Sequence, residues 1–243
     1  MKKPQKILIG VGIGVVVLAV AAAFVGPVIY RDLIAEPAAE EPSLSQETTT
    51  DDGGDSAAGG TTLDAAAVAG DWEVSNGSEA GYRVEEVLNG TDVTVTGRTD
   101  EVTGTFSISD DGLTLEATDI TVDVASIATD SDKRDAYFRD NALRTDENPT
   151  ATFVLTEPVT LDAAPASGEV VTATATGELT LAGETQTVTV DIEVLSDGET
   201  AQIAGSIPIT FSDFGVEAPN LGFVSVEDTG SVEFQLTADK IEG

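Results

Sequence analysis

The chain contains no cysteine and no histidine. The first absence excludes disulfides, a thiolate nucleophile and a lipid-modified cysteine anchor. The second excludes a Ser-His-Asp triad and a histidine-ligated metal. Cations are scarce as well: 11 basic residues face 44 acidic ones, for a formal net charge of -33, and a nucleic-acid partner would be repelled. This acidity reads as a solubility and surface property, compatible with adaptation to salt, and carries no information about fold.

Long uncharged apolar runs are also missing, with one exception. Ile7 to Ile29 is interrupted only by Gly10, Gly12, Gly14, Gly26 and Pro27. As a helix it would span about 35 Å, enough for a hydrocarbon core of about 30 Å. Lys2, Lys3 and Lys6 precede the run, while only Arg31, beside Asp32, follows it. The positive-inside rule then predicts a cytoplasmic N-terminus, with everything after Tyr30 outside, in the periplasm or at the cell surface. The alternative is a signal peptide cleaved after Ala19-Val20-Ala21 or Ala21-Ala22-Ala23, which would secrete the rest.

Three segments are therefore expected: a membrane anchor over residues 1–34, an acidic disordered linker over 35–62 and a globular domain over 63–243. The linker carries Glu36-Pro37, Glu41-Pro42, Thr48-Thr49-Thr50-Asp51-Asp52-Gly53-Gly54 and Gly59-Gly60, and nothing in it can form a core. As a flexible coil it would reach roughly 30 Å and leave the orientation of the domain unfixed. The domain itself is long enough to bury roughly 70% of its unfolded surface without covalent staples.

The clearest pattern in the domain runs from Val170 to Leu195. Val171, Ala173, Ala175, Leu179 and Leu181 alternate with Thr172, Thr174, Thr176, Glu178 and Thr180, and Gly177 sits in the apolar row. After Gly183 and Glu184, the residues Val188, Val190, Ile192 and Val194 alternate with Thr187, Thr189, Asp191 and Glu193. This two-residue period predicts a long antiparallel hairpin of the length that suits a barrel wall. Its inward row thins to Ala173, Ala175 and Gly177 where a solid core would need larger side chains. That leaves room for something else.

Similar signals fill the rest. Leu63 to Val68 predicts one helical turn. Strands follow at Trp72 and Val74, Tyr82 and Val84, Val93 and Val95, Phe106 and Ile108, Leu113 and Leu115, and Ile120 to Val124, with a turn at Asp110-Asp111-Gly112. A helical interval capped by Asp130 or Ser131 carries Tyr137, Phe138 and Leu143 and is closed by Pro149. Strands resume at Ala151 to Leu155, and after the hairpin at Ile203 to Phe211, at Val224 and Val226, and at Val232 to Leu236. Eight or more antiparallel strands predict an all-β fold, a closed lipocalin-like barrel of about eight strands, with a two-sheet sandwich as the alternative. Lys133, Arg134, Arg139 and Arg144 lie close together, either as partners of nearby carboxylates or as a cationic patch at the mouth of a site.

Several pieces, taken in order and spacing, resemble the YceI-like family of lipocalin-like barrels that bind polyisoprenoid lipids. They are Trp72-Glu73-Val74, Val102-Thr103-Gly104-Thr105-Phe106, Val122-Asp123-Val124-Ala125-Ser126-Ile127, Arg134-Asp135, Asn148-Pro149-Thr150-Ala151-Thr152-Phe153, Gly177 to Thr185 and Ser212-Asp213-Phe214-Gly215. The stretch Tyr82-Arg83-Val84-Glu85-Glu86 looks like the version in membrane-anchored actinobacterial relatives. Where the family often has a histidine after the first strand and an arginine before the last aspartate, this chain has Asn76-Gly77-Ser78 and Phe211-Ser212. The departure leaves the polar end of a ligand open.

The resemblance implies an elongated apolar cavity holding a polyprenyl chain or another long lipid, such as an isoprenoid quinone, with no catalytic step and no cofactor. Lipid-contacting candidates are Phe106, Val122, Val124, Tyr137, Phe138, Phe153, Ala173, Ala175, Leu179, Val190, Ile209, Phe211 and Phe214, each of which also suits plain core packing. Arg134, Asp135 and Asp213 are candidates for the rim or the head group. An arginine there could hold a phosphate or a carbonyl, or could simply fix the helix to the barrel. Two other readings stand beside the lipid carrier. One is a ligand-free interaction module with a packed interior. The other is an enzyme using carboxylates such as Asp213, Glu227 and Asp228, although neighbouring carboxylates arise by chance in so acidic a chain.

Overall fold

The computed structural model describes residues 38–44, 61–163, 165–220, 222 and 224–241. Among these, no helix is long and apolar enough to cross a membrane. The apolar run Ile7 to Ile29 and the two readings attached to it lie outside the described residues, as does most of the segment read as linker.

In chain order the strands are β1 (Gly70–Val74), β2 (Glu79–Leu88), β3 (Thr91–Thr99), β4 (Val102–Ile108), β5 (Thr114–Asp123), β6 (Thr150–Leu155), β7 (Val159–Thr160), β8 (Val171–Leu181), β9 (Glu184–Ser196), β10 (Thr200–Thr210) and β11 (Val224–Lys240). Among the described residues two short α-helices accompany them, α1 (Ala65–Val68) and α2 (Asp132–Tyr137). The strands pair antiparallel as one continuous sheet that closes on itself in the order β1-β4-β5-β6-β8-β9-β10-β11, because β1 pairs with both β4 and β11. The fold is therefore an antiparallel barrel, and the sandwich is excluded. Closure removes the exposed edges that these eight strands would otherwise present.

The wall is not uniform from end to end. Ala238 to Lys240 of β11 pair with β1, whereas Val224 to Gln235 pair along the same edge with β2, which forms a hairpin with β3. Toward that second end the hairpin takes the place of β1. The outer edge of β3 meets a single bridge, Arg98 to Ala128. The chain between β5 and β6 packs over this seam, through a 3₁₀ turn at Val124–Ser126, then α2, then a π-helical turn at Phe138–Ala142. The mouth of the barrel lies here. At the opposite end, α1 and the loops after β4 and β7 form a floor.

Alternation alone divides two strands too finely, and bulges explain both cases. Ser107 and Ile108 face Ala117 and Leu115, so Glu116 is an extra residue that shifts the phase of β5 by one. Leu115 and Ile120 therefore share the inner face of one strand. In β11, Glu227 to Thr229 bulge between the pairs Val226–Glu86 and Gly230–Val84, joining what read as separate strands. The hairpin turns are also specific. Ala182-Gly183 and Asn89-Gly90 each take two successive positive φ angles, 52° and 86°, and 51° and 81°, the signature of a type I′ turn. Glu184, expected in the turn, already pairs with Leu181 in the ladder.

The floor is organised by Trp72, which is 1% exposed. Its ring stacks on Phe106 with centroids 5.9 Å apart, and its Nε1 donates to the Val68 carbonyl at 3.0 Å, fastening α1 across the barrel end. Lys240 does the same from β11, with Nζ donating to the Ala66 and Ala67 carbonyls at 2.7 and 2.8 Å. These are orphan carbonyls of a helix C-terminus, the groups a cation satisfies best.

Elsewhere in the wall, aromatic rings lie where a Cβ would stand on a neighbouring glycine: Tyr82 over Gly97, Phe153 over Gly177, Phe234 over Gly205 and Phe211 over Gly230. At each of these positions the ring fills the space that a side chain on the glycine would take. This corrects one expectation. The gap at Gly177 is filled by Phe153, so the room left by the thinned row comes from Ala173 and Ala175 alone.

Part of the segment read as a free linker is docked. Ala39 N donates to Thr96 Oγ1 at 3.1 Å, Arg83 Nη2 donates to the Ala39 carbonyl at 2.6 Å, and Leu44 N donates to Glu193 Oε2 at 2.7 Å. Residues 38–44 thus cross the outer face of the barrel from β3 to β9. Three such bonds are worth a few kcal/mol together, about 0.5–3 each. The entropy lost on ordering the segment opposes them, so docking adds little to the stability of the barrel. A chain beginning at Thr61 is accordingly expected to melt within about 4 °C of the intact protein in differential scanning calorimetry. A much larger drop would show that the strap is integral to the fold.

Candidate functional site

The lumen forms two chambers. The lower one, toward the floor, has a volume of about 210 Å³ and is lined by apolar side chains from every wall, among them Trp72, Phe106, Leu115, Ile120, Phe153, Val171, Val194, Ile203 and Phe234. Among the described residues its polar side chains are Thr118, Thr152 and Ser196, and none is charged. The upper chamber, at the mouth, has a volume of about 530 Å³, within the 300–1,000 Å³ of small-molecule sites. It is apolar along Val84, Leu88, Ile127, Leu143 and Val224, but it also contains Tyr82, Glu86, Lys133, Arg134 and Glu217. Four residues line both chambers: Ala80, Val122, Ala151 and Val232.

Of the residues singled out in the sequence, Phe106, Phe153, Ala173, Ala175, Leu179 and Val190 line the lower chamber. Val124, Tyr137, Phe138, Ile209, Phe211 and Phe214 line the upper one, and Val122 lines both. Two of the rim candidates do not face the lumen. Asp135 is buried beneath α2, where Oδ1 accepts from Thr129 N at 3.0 Å and Thr129 Oγ1 at 2.7 Å. It fixes the helix to the preceding loop and has no lumen-facing role. Asp213 is exposed on the 3₁₀ turn Phe211–Phe214, whose geometry turns Phe214 inward and Asp213 out, and its main-chain carbonyl accepts from Gln186 Nε2 at 2.7 Å. Glu227 lies in a shallow outer groove beside Arg83 and Pro208, so the carboxylates weighed as acid and base do not meet in the lumen. Among the described residues, no group of three or more carboxylates could hold a metal ion.

Arg134 does face the upper chamber, already engaged on both sides. Nη1 donates to Asp130 Oδ1 at 2.6 Å and Nη2 to Glu86 Oε1 at 3.2 Å. Burial opposes its charge, but the two carboxylates more than offset this and raise its pKa. Lys133, Arg139 and Arg144 form no ion pair among the described residues. The cluster of four cations therefore divides: of the two that line the upper chamber, Arg134 is paired with carboxylates and Lys133 is not, among the described residues.

The sequence pattern does not single out Tyr82 and Glu86, which the structure places in the site. Tyr82, Val84, Glu86 and Leu88 alternate along β2 and all line the chamber, but the acidic pair Glu85-Glu86 masks the last two positions of the pattern. Glu86 is buried, with Arg134 as its partner. The Tyr82 ring stacks on Phe138 at 4.9 Å, and burial raises its hydroxyl well above the ordinary 10.0. Folded and unfolded chains both keep the phenol protonated below pH 10, so the shift contributes nothing there. Above it the unfolded phenol ionises first, and stability falls as pH rises. Tyr82→Phe is expected to leave the melting temperature at pH 7 nearly unchanged and to lessen the loss between about pH 10 and 12. Equal alkaline loss in both proteins would place the hydroxyl in water.

Comparison with known proteins agrees with the geometry. Residues 72–238 match the family profile described as the YceI-like domain. A UPF0312 protein of Pseudomonas aeruginosa is 30% identical over 152 residues, covering 60% of this chain and 73% of the relative. One of Pseudomonas paraeruginosa is 31% identical over the same shares. Among solved structures, a polyisoprenoid binding domain from Saccharophagus degradans, implicated in plant cell wall breakdown, superposes with a TM-score of 0.57 at 22% identity, covering 70% of this chain and 98% of that one. BcnA of Burkholderia cenocepacia superposes with a TM-score of 0.50 at 25% identity, covering 64% and 95%.

Proposed function

This chain belongs to the YceI-like family, and from that membership we propose that it is an exported, membrane-tethered binding protein whose barrel holds a long apolar lipid, a polyisoprenoid or an isoprenoid quinone. The observation that carries the reading is the lower chamber, a void inside the barrel lined by more than twenty apolar residues and no charge. A packed interior would serve an interaction module better, because unfilled apolar space forfeits dispersion contacts on its lining. The polyisoprenoid-binding description of the related Saccharophagus degradans domain supports the chemical class.

Burial alone supplies the affinity. At about 0.8 kcal/mol per methylene, a few isoprene units outweigh the cost of ordering the chain and of association. Nothing in this role requires bond-making, and the protein would store, carry or scavenge its lipid. Export and tethering are supported by the apolar run Ile7 to Ile29 behind three lysines, with the barrel outside the cell membrane.

The test is organic extraction and native mass spectrometry of the full chain purified from its own host. A stoichiometric isoprenoid or quinone mass is the expected result. A chain that arrives empty and also takes up no such lipid in solution would leave the ligand-free interaction module as the reading to pursue. Fractionation of the same cells tests the tether, since a cleaved signal would release the barrel from the membrane.

A further inference from the structure

We infer that the constriction between the two chambers, formed by Ala80, Val122, Ala151 and Val232, sets the length of chain the protein accepts. The inference rests on the lipid-binding reading above and adds a selecting element to it. The chambers differ in chemistry: every charged lining residue belongs to the upper one, and the lower has only two threonines and a serine as polar lining. A lipid's polar end is accordingly placed at the mouth, and its tail reaches the lower chamber only by passing the constriction. A short chain is accommodated in the upper chamber alone. A long one needs both, or leaves the surplus in water.

The constriction is built from two strand pairs. Val122 of β5 and Ala151 of β6 are direct partners in the ladder. Val232 of β11 and Ala80 of β2 sit on neighbouring strands, paired to Tyr82 and Phe234 respectively. Ala80 and Ala151 are 3% and 8% exposed, so methyl groups are all that stands at two of the four positions. Val232 is only half-buried, because its side chain borders open space on both sides. A larger residue there can extend into the void without displacing a packed neighbour.

The test compares two isoprenoid alcohols of the same head group, farnesol and solanesol, offered together to the full chain and read by native mass spectrometry after release from detergent micelles. Val232→Phe and Ala151→Leu are made independently, so that a folding defect in one leaves the other. Each buried methylene is worth about fourfold in affinity, so closing the passage is expected to weaken solanesol by about 100-fold or more. Farnesol has no tail in the lower chamber to lose, so the readout is the ratio of the two affinities, expected to shift by about 30-fold or more toward farnesol even where the altered lining of the upper chamber changes both. A folded variant that retains the wild-type preference would overturn the constriction as a selector. Wild-type protein that binds neither alcohol, nor any quinone, would instead overturn the lipid-binding reading, and the selector with it.

Discussion

Glu233→Ala is expected to cost about 3–5 kcal/mol of folding stability, far more than an exposed ion pair. Glu233 is 1% exposed on the outer face of β11, and Arg83 and Arg98 close over it from β2 and β3. Arg83 Nε donates to Oε1 at 2.5 Å, Arg98 Nη2 donates to Oε2, and Arg98 also reaches Glu79 at 3.2 Å and the Tyr82 carbonyl at 2.9 Å. Removing the carboxylate leaves two guanidinium groups, each about 15% exposed, facing each other across the vacated space. The position of the cluster raises the stakes. It pins the β2–β3 hairpin to β11 in the part of the wall where β1 no longer closes the ring. Urea denaturation with an unchanged m-value measures the loss directly. The triple replacement of Glu233, Arg83 and Arg98 by leucine should recover most of it, because a buried ion cluster is worth little more than well-packed apolar groups. A loss below about 1 kcal/mol for Glu233→Ala would mean that water reaches the cluster freely.

Such a cluster is invisible to reading by alternation. Ser231, Glu233 and Gln235 occupy the polar row of β11, which predicts solvent, yet Glu233 is as buried as Trp72. What alternation does reveal is which row faces inward, and the apolar candidates on strands, such as Phe106, Phe153, Ala175 and Val190, line the lumen because a closed barrel has only two faces; Val124, Tyr137, Phe138, Phe211 and Phe214 line it from the helical turns instead. Its failures have physical causes. Bulges at Glu116 and at Glu227 to Thr229 change the phase of a strand without changing its composition. The branching of β2 from β1 along one edge of β11 depends on pairing across more than a hundred residues of chain, for which local sequence carries no signal. Asp135 and Asp213 sit in motifs, but a motif residue can serve the fold, as Asp135 does in holding Thr129. Glu86 is the converse case, an acid on an inward row.

The charge balance follows the same logic. In a chain with 44 acidic residues, Arg83, Arg98, Arg134 and Lys240 are each committed to carboxylates or helix carbonyls at a seam, the mouth or the floor. These four stand where the barrel is least continuous. Arg134 is thereby neutralised beside the chamber, and a lipid entering it meets no unpaired charge from that residue.

Trp72→Ala is expected to destabilise the empty protein by about 3–5 kcal/mol, through lost burial and the cavity left behind. Trp72 is 1% exposed, stacks on Phe106 and holds α1 through the Val68 carbonyl, so its removal loosens the floor in three ways at once. The location of the void makes the prediction distinctive. Trp72 lines the lower chamber, and the space it vacates joins that chamber instead of forming a sealed hole. An apolar void of this kind stays dry and accepts apolar atoms. Saturation with solanesol stabilises any protein that binds it, by about 2.7 kcal/mol at a hundredfold excess over Kd. The variant should gain more than the wild type does, because the end of a long chain can fill its enlarged floor. Trp72→Phe keeps an aromatic stack on Phe106 and should fall between the two, with little extra gain from lipid. Melting curves of the three proteins, with and without solanesol, decide the matter. A gap between Trp72→Ala and wild type that is the same in both conditions would show that the tail of the lipid never reaches the floor.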